Sequence, residues 1–291
     1  MIPSALSGLA GLSVSSDGTC TLDANASGSR ETRPLAMAAF LEAVHPERSR
    51  GMEFRSVGAR PSTPLGLSGG SLPIPGPRRV AKAQLAGPAT VTAFTRASTG
   101  ARVAQVPRLA ELVVEHLAAK AAWLARDLRS VNVTPMIVFD EPGLGLGELP
   151  VASLERVRRA ASDAGAITGL HCCGQTRWAE LLGLGFDLIS LDARLSLDAL
   201  LEDRRAWLAF LERGGTLCLG IIPTNLGARY AVDELCDSVE ASLRATTPQF
   251  ERALARMSLS PACGLALHSV EGAERISAEV RAAQARLRVL L

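Results

Sequence analysis

Aromatic side chains are scarce in this sequence: one Tyr, three Trp and seven Phe amount to 4% of 291 residues. Rings that stack on bases are too few for a single-strand nucleic-acid surface, so Leu, Ala and Val must fill the interior. An excess of one charge is also lacking. The formal net charge is +2, and the arginines are spread along helical stretches rather than clustered. Nothing electrostatic therefore argues for nucleic acid or an anionic membrane as a partner. No apolar run reaches the roughly 18–20 residues that cross a bilayer. The opening stretch "MIPSALSGLAGLSVSSDGTC" has neither the basic n-region nor the continuous apolar h-region of a signal peptide. Six cysteines in so long a chain do not make a disulfide framework; in a reducing compartment they mean burial, metal or catalysis. The expectation is a cytoplasmic protein.

What is present is regular alternation. With 47% hydrophobic residues the chain can bury a large core as one domain or two. From about residue 79, short apolar runs alternate with longer stretches of helical periodicity. The runs are "VAKAQLAG" (80–87), "MIVFD" (136–140), "AITGLHC" (166–172), "FDLISLD" (186–192), "TLCLGII" (216–222) and "ARMSLSP" (255–261). The helical stretches are 106–128, 150–165, 175–185, 196–215 and 231–247, with a last helix closing the chain. Ser196 and Ser269 are predicted N-caps, and Gly165, Gly185 and Gly214–Gly215 fall where helices should end. Strands alternating with such helices imply right-handed crossovers and a parallel sheet. The expected fold is α/β, a single-domain (β/α)8 TIM barrel with an irregular N-terminal segment. Residues 1–78 would supply the first barrel strands and loops, and 79–291 the remainder. One helix is predicted over 34–45, while 60–79 has loop composition. An open doubly wound sheet is the alternative, but no GxGxxG follows a strand to support a dinucleotide site.

The polar residues that interrupt the apolar runs fall at strand ends, where such a barrel carries its chemistry. Asp140 and Glu141 end the second run, His171 and Cys173 the third, and Asp192 the fourth; Cys263 lies just past the last. Alternation along a strand places His171 and Cys173 on one face and Cys172 on the other. An imidazole and a thiolate on one face, joined by a second thiolate and a carboxylate from other strands, form a tetrahedral set suited to Zn²⁺. Other readings compete. His-x-Cys alone is a weak metal signal, and Cys172–Cys173 is a conceivable redox pair that opposite strand faces disfavour. Cys20, Cys218 and Cys236 read as small buried hydrophobes. His45, His116 and His268 read as surface or capping residues.

Taken together, "AKAQLAGPATVTAF" (81–94), "IVFDEPGL" (137–144), "LHCCG" (170–174), "DLISLD" (187–192) and "SPACGL" (260–265) resemble, in order, motifs of the catalytic domain of cobalamin-independent methionine synthase. That family belongs to the uroporphyrinogen decarboxylase/methionine synthase-like barrels. The resemblance covers roughly residues 79–275. It implies a zinc cofactor held by His171, Cys173 and Cys263, with Asp192 standing where the family has a glutamate ligand. It also implies that Asp140 receives the amino group of homocysteine, assisted by Glu141. In "LCLGIIPTN" (217–225) this chain has Pro223, Thr224 and Asn225 where the family has a histidine associated with proton delivery to the folate leaving group. Thr and Asn are not general acids near neutral pH. A methylcorrinoid donor, which departs without protonation, suits that replacement, with free methylcobalamin or a methylated corrinoid protein as partner. Corrinoid-linked enzymes that methylate coenzyme M or a related thiol share the H-x-C pair and a late "PGCG"-like segment, and form the nearest rival reading. A non-catalytic barrel with structural zinc is the rival from another class.

Overall fold

The computed structural model describes residues 5–16, 19–26, 80–147 and 149–291. The helix expected over 34–45, the loop expected over 60–79 and His45 lie outside the described residues.

Six parallel strands form the main sheet in unbroken sequence order: β3 (Val80–Ala86), β5 (Thr134–Asp140), β6 (Ile167–Cys172), β7 (Leu188–Asp192), β8 (Thr216–Ile222) and β9 (Met257–Pro261). Every predicted apolar run is one of these strands. Because the strands of this sheet lie side by side in the order in which the chain makes them, the helices return over one face, and the sheet curls around the other. The covered face carries Leu85, Ile137, Phe139, Leu170, Cys172, Ile189, Leu191, Leu217 and Leu219, all buried in one core cluster with Leu117, Leu124, Leu154, Leu181 and Leu200 from the helices. Leu, not aromatic rings, dominates that layer, as the composition requires. At ~1.5–3 kcal/mol per fully buried large aliphatic side chain, this interface is the main source of stability.

The architecture described is a curled, open half-barrel. The expected closed eight-stranded barrel is not completed among the described residues. The N-terminal strands β1 (Leu12–Val14) and β2 (Cys20–Leu22) pair with each other antiparallel, and β2 then pairs with β4 (Arg96–Ala97) in a separate three-stranded sheet. Their backbone groups are spent there, with Ser98 N–H also donating to Leu22 O, so they do not lengthen the main sheet. His116 Nε2 and Lys120 Nζ, on the long Pro107–Ser130 helix, fasten the start of the chain by bonding the carbonyls of Ala5 and Ser7. His116, expected at the surface or as a cap, is in fact buried.

Helix ends follow local chemistry. Gly165, Gly185 and Gly214 adopt the left-handed conformation expected after helices. Ser269 accepts from Gly272 N–H and caps the last helix, Val270–Arg288. Ser196 is not a cap. The helix starts earlier, at Ala193–Glu202, because the Asp192 carboxylate accepts from Arg194 and Leu195 N–H. Ser196 instead lies inside the helix and donates to Gly174 O. The predicted 196–215 helix is broken at Asp203, whose side chain caps a second segment, Arg204–Glu212. Two short helices, Pro88–Phe94 and Phe250–Ala255, are absent from the sequence reading.

Candidate metal centre

Register across the main sheet sets one row of residues side by side on the concave face. Asp140 on β5 pairs with His171 on β6, His171 with Ser190 on β7, Ser190 with Cys218 on β8, and Cys218 with Ser258 on β9. Pairing partners share a face, so five polar side chains run across three apolar-cored strands and their neighbours. One residue pair further along lies the next row, in which Asp192 pairs with Gly220 and Gly220 with Ser260. Cys173 emerges from the end of β6 beside this row, and Cys263 follows β9 by two residues.

Here the ligand atoms of His171, Cys173 and Cys263 come within 4.8 Å of one another. A tetrahedral zinc with bonds of about 2.0–2.3 Å holds its ligands roughly 3.5 Å apart, so a small contraction closes the group on an ion. Two thiols and an imidazole are also the donor chemistry that zinc selects. His171 and Cys173 are half-buried and Cys263 is exposed, which leaves one side of the group open. Burial lowers the His171 pKa, and the nearby Lys82 charge adds to this, favouring the neutral imidazole that a metal needs. Burial raises the Cys173 thiol, with the neighbouring Cys263 next in effect.

The other expected residues are placed differently. Asp192 is outside the converging group. One of its oxygens is committed to the helix N-terminus, although its charge is close enough to raise the Cys173 thiol further. Asp140 is 4% exposed and its carboxylate accepts two contacts from Gln84 Nε2, at 2.9 and 3.2 Å. Burial raises its pKa, while the Gln84 bond and the Lys82 charge oppose that. Glu141 points away from this face altogether. It is fully buried and accepts from Ala89 N–H, Thr90 N–H and Thr90 Oγ1 at the N-terminus of the Pro88–Phe94 helix. Burial pushes its carboxyl up to about 7 against these bonds. A Cβ on Gly87 would sit 2.3 Å from the Glu141 Oε1; glycine is needed there for close packing against this carboxylate. Glu141 thus shapes the strand end that carries Asp140 and does not line the open face.

Cys172 is fully buried in the helix-facing layer, and burial raises its thiol to about 11. It donates to Gly174 O. The loop that follows is held on two sides. Ser196 Oγ and Gln175 Nε2 tie it to the Ala193–Glu202 helix, and Gly145 packs against the Gln175 carbonyl.

Three contributors escaped the sequence reading. Ser190 Oγ lies 3.0 Å from His171 Nδ1, Gln84 holds Asp140, and Lys82 acts on both Asp140 and His171. Each lies two residues, or one paired strand, from a residue already singled out. Strand alternation applied to "AKAQLA" and "DLISLD" would have found them. His268, expected at the surface or as a cap, is half-buried and bonds Thr224 O through Nε2 at 2.8 Å, bringing a histidine to the 223–225 loop from elsewhere in the chain.

Fold and site define an α/β protein with a His/Cys/Cys group able to hold a metal ion at the C-terminal edge of a parallel sheet, consistent with metal-dependent enzymatic function. Among the described residues no helix is long and apolar enough to cross a membrane. Comparison of the sequence with protein-family models and with curated proteins finds no match.

Proposed function

We propose that the protein is a zinc-dependent methyltransferase acting on a thiol, with homocysteine as acceptor and a methylcorrinoid as donor, on a closed (β/α)8 scaffold. The observation that carries this is the convergence of His171, Cys173 and Cys263 at a strand-end edge, with Cys263 exposed and Asp140 the register partner of His171. Structural zinc sites are closed by four strong ligands; three ligands from two strand ends and an open side suit an exchangeable position.

His171, Cys173 and Cys263 would hold the ion, with the Asp192 oxygen that the helix cap leaves free as the candidate fourth ligand. A zinc ion held by these residues would supply the acidity that brings an incoming thiol, ordinarily of pKa about 8.5, to its nucleophilic thiolate form at neutral pH. Asp140, whose carboxylate is oriented by Gln84 Nε2 and whose ionised form is favoured by Gln84 and Lys82 while burial opposes it, would attract the ammonium of an amino-acid thiol and fix its approach. Glu141 supports that arrangement from behind by capping the Pro88–Phe94 helix. Transfer forms the S–CH₃ bond as the donor C–Co bond breaks, its electron pair leaving with cobalt, so no acid is required of Pro223, Thr224 or Asn225.

Homocysteine methylation by the zinc-loaded protein, with methylcobalamin and methyltetrahydrofolate supplied separately, tests the reading. Turnover with methylcobalamin alone is expected. Turnover on the folate contradicts the donor assignment, and the His268→Gln variant then separates the two chemistries, since only the folate reaction needs a proton. Zinc without turnover on either donor contradicts the acceptor and donor together.

A further inference from the structure

We propose that Gly220 is a positioning residue for this centre: the absence of a side chain at 220 lets the segment after β9 lie on the concave face and deliver Cys263 to Cys173. The geometry stands independently of what the group binds, and its consequence for zinc rests on the reading above.

Gly220 is not among the residues with left-handed backbone, so conformation does not demand glycine there. Space does. A Cβ built on Gly220 would fall 2.5 Å from Ala262 Cα, 2.9 Å from Leu191 O and 3.2 Å from Ala262 N. All three are backbone atoms, which cannot rotate aside as side chains do. Gly169, on the same face, offers the contrast: its Cβ would meet the side chains of Val138 and Leu188 at 3.0 and 3.2 Å, and those can yield.

The segment over Gly220 is fixed from two directions. Between β8 and β9 the register slips, with Gly220 opposite Ser260 but Ile222 opposite Pro261. β8 thus advances two residues while β9 advances one, and the following chain turns inward. Ala262 is then 3% exposed, and its N–H donates to Ile222 O at 2.8 Å. Cys263 is the next residue. A methyl group at 220 must lift Ala262 from the sheet, and Cys263 rises with it while His171 and Cys173 stay on β6.

The test compares wild type with Gly220→Ala in zinc-free protein, using dibromobimane, which fluoresces on bridging two neighbouring thiols, with the bridged pair identified by peptide mass. Wild type is expected to bridge Cys173 to Cys263. Gly220→Ala is expected to keep the wild-type circular dichroism, lose that bridge, and bind zinc about 10–100-fold more weakly, the usual cost of losing support around a ligand. Bridging by Gly220→Ala at the wild-type level, or no bridge in wild type, overturns the inference. Should Gly220→Ala fail to fold, Ala262→Pro decides: it removes the N–H to Ile222 O and leaves Gly220 in place. Loss of the bridge in that variant supports the seating of Ala262 through which Gly220 acts, and a full bridge overturns the inference. A wild-type protein that bridges the two thiols but takes up no zinc defeats the metal reading and leaves the role of Gly220 intact.

Discussion

His171 Nδ1 lies 3.0 Å from Ser190 Oγ, its register partner on the next strand. A metal on Nε2 requires the proton on Nδ1, and Ser190 Oγ is then the acceptor that fixes both tautomer and ring orientation. Ser190→Ala should fold normally, since the residue contributes one small polar contact. Its zinc affinity, read by competition with a chelator, should fall by about 10–100-fold. Unchanged affinity would mean that packing alone orients the ring.

Strand alternation separates Cys172 from Cys173. Cys173→Ser should lose zinc, whereas Cys172→Ser should keep it. Buried and with its thiol pushed to about 11, Cys172 should also resist iodoacetamide in the folded protein, while the exposed Cys263 reacts and is protected by added zinc. Equal zinc loss in both serine variants contradicts the two-face argument.

Glu141 supports the fold of the strand end. Removing its side chain strands Ala89 N–H, Thr90 N–H and the Thr90 hydroxyl in a closed space, and an unsatisfied buried polar group costs about 1–3 kcal/mol. Glu141→Ala should therefore lower the urea midpoint clearly. Glu141→Gln, which keeps one acceptor oxygen, should lower it less. Equal loss in both would assign the effect to charge and not to capping.

Lys120 contributes a pH dependence at the alkaline end. Burial lowers its pKa from 10.5 to about 8, so between these values the unfolded chain holds the proton more tightly than the folded one. The cost of the buried ammonium is fully present below about 8 and is relieved as pH rises towards 10.5; this group's contribution to stability increases with pH across that window. The stability of wild type minus that of Lys120→Met, from urea titrations at several pH values, should rise between pH 8 and 10.5. A flat or falling difference contradicts the assignment.

The strands and most helices were legible because their hydrophobic periodicity is strong and their ends carry Gly, Ser or Asp. The errors are local competitions. Ser196 has the composition of a cap, yet the Asp192 carboxylate, nearer the strand end, takes the helix N-terminus through one of its oxygens. Glu141 and Asp140 are adjacent acids at one strand end, yet alternation sends them to opposite faces, and only Asp140 shares the row with His171. The turn of the segment after β9 over Gly220 depends on a register slip and a backbone–backbone approach, neither of which leaves a periodic trace in sequence. The N-terminal strands are three residues each, too short for a pattern to show which sheet they join.

The most direct test of the metal centre is the zinc content of purified wild type beside Cys173→Ser, by elemental analysis after exchange into metal-free buffer. One zinc per chain in wild type, lost in the variant with the fold preserved, is the predicted result. A wild-type protein that retains no zinc, or a variant that retains it fully, would contradict the account.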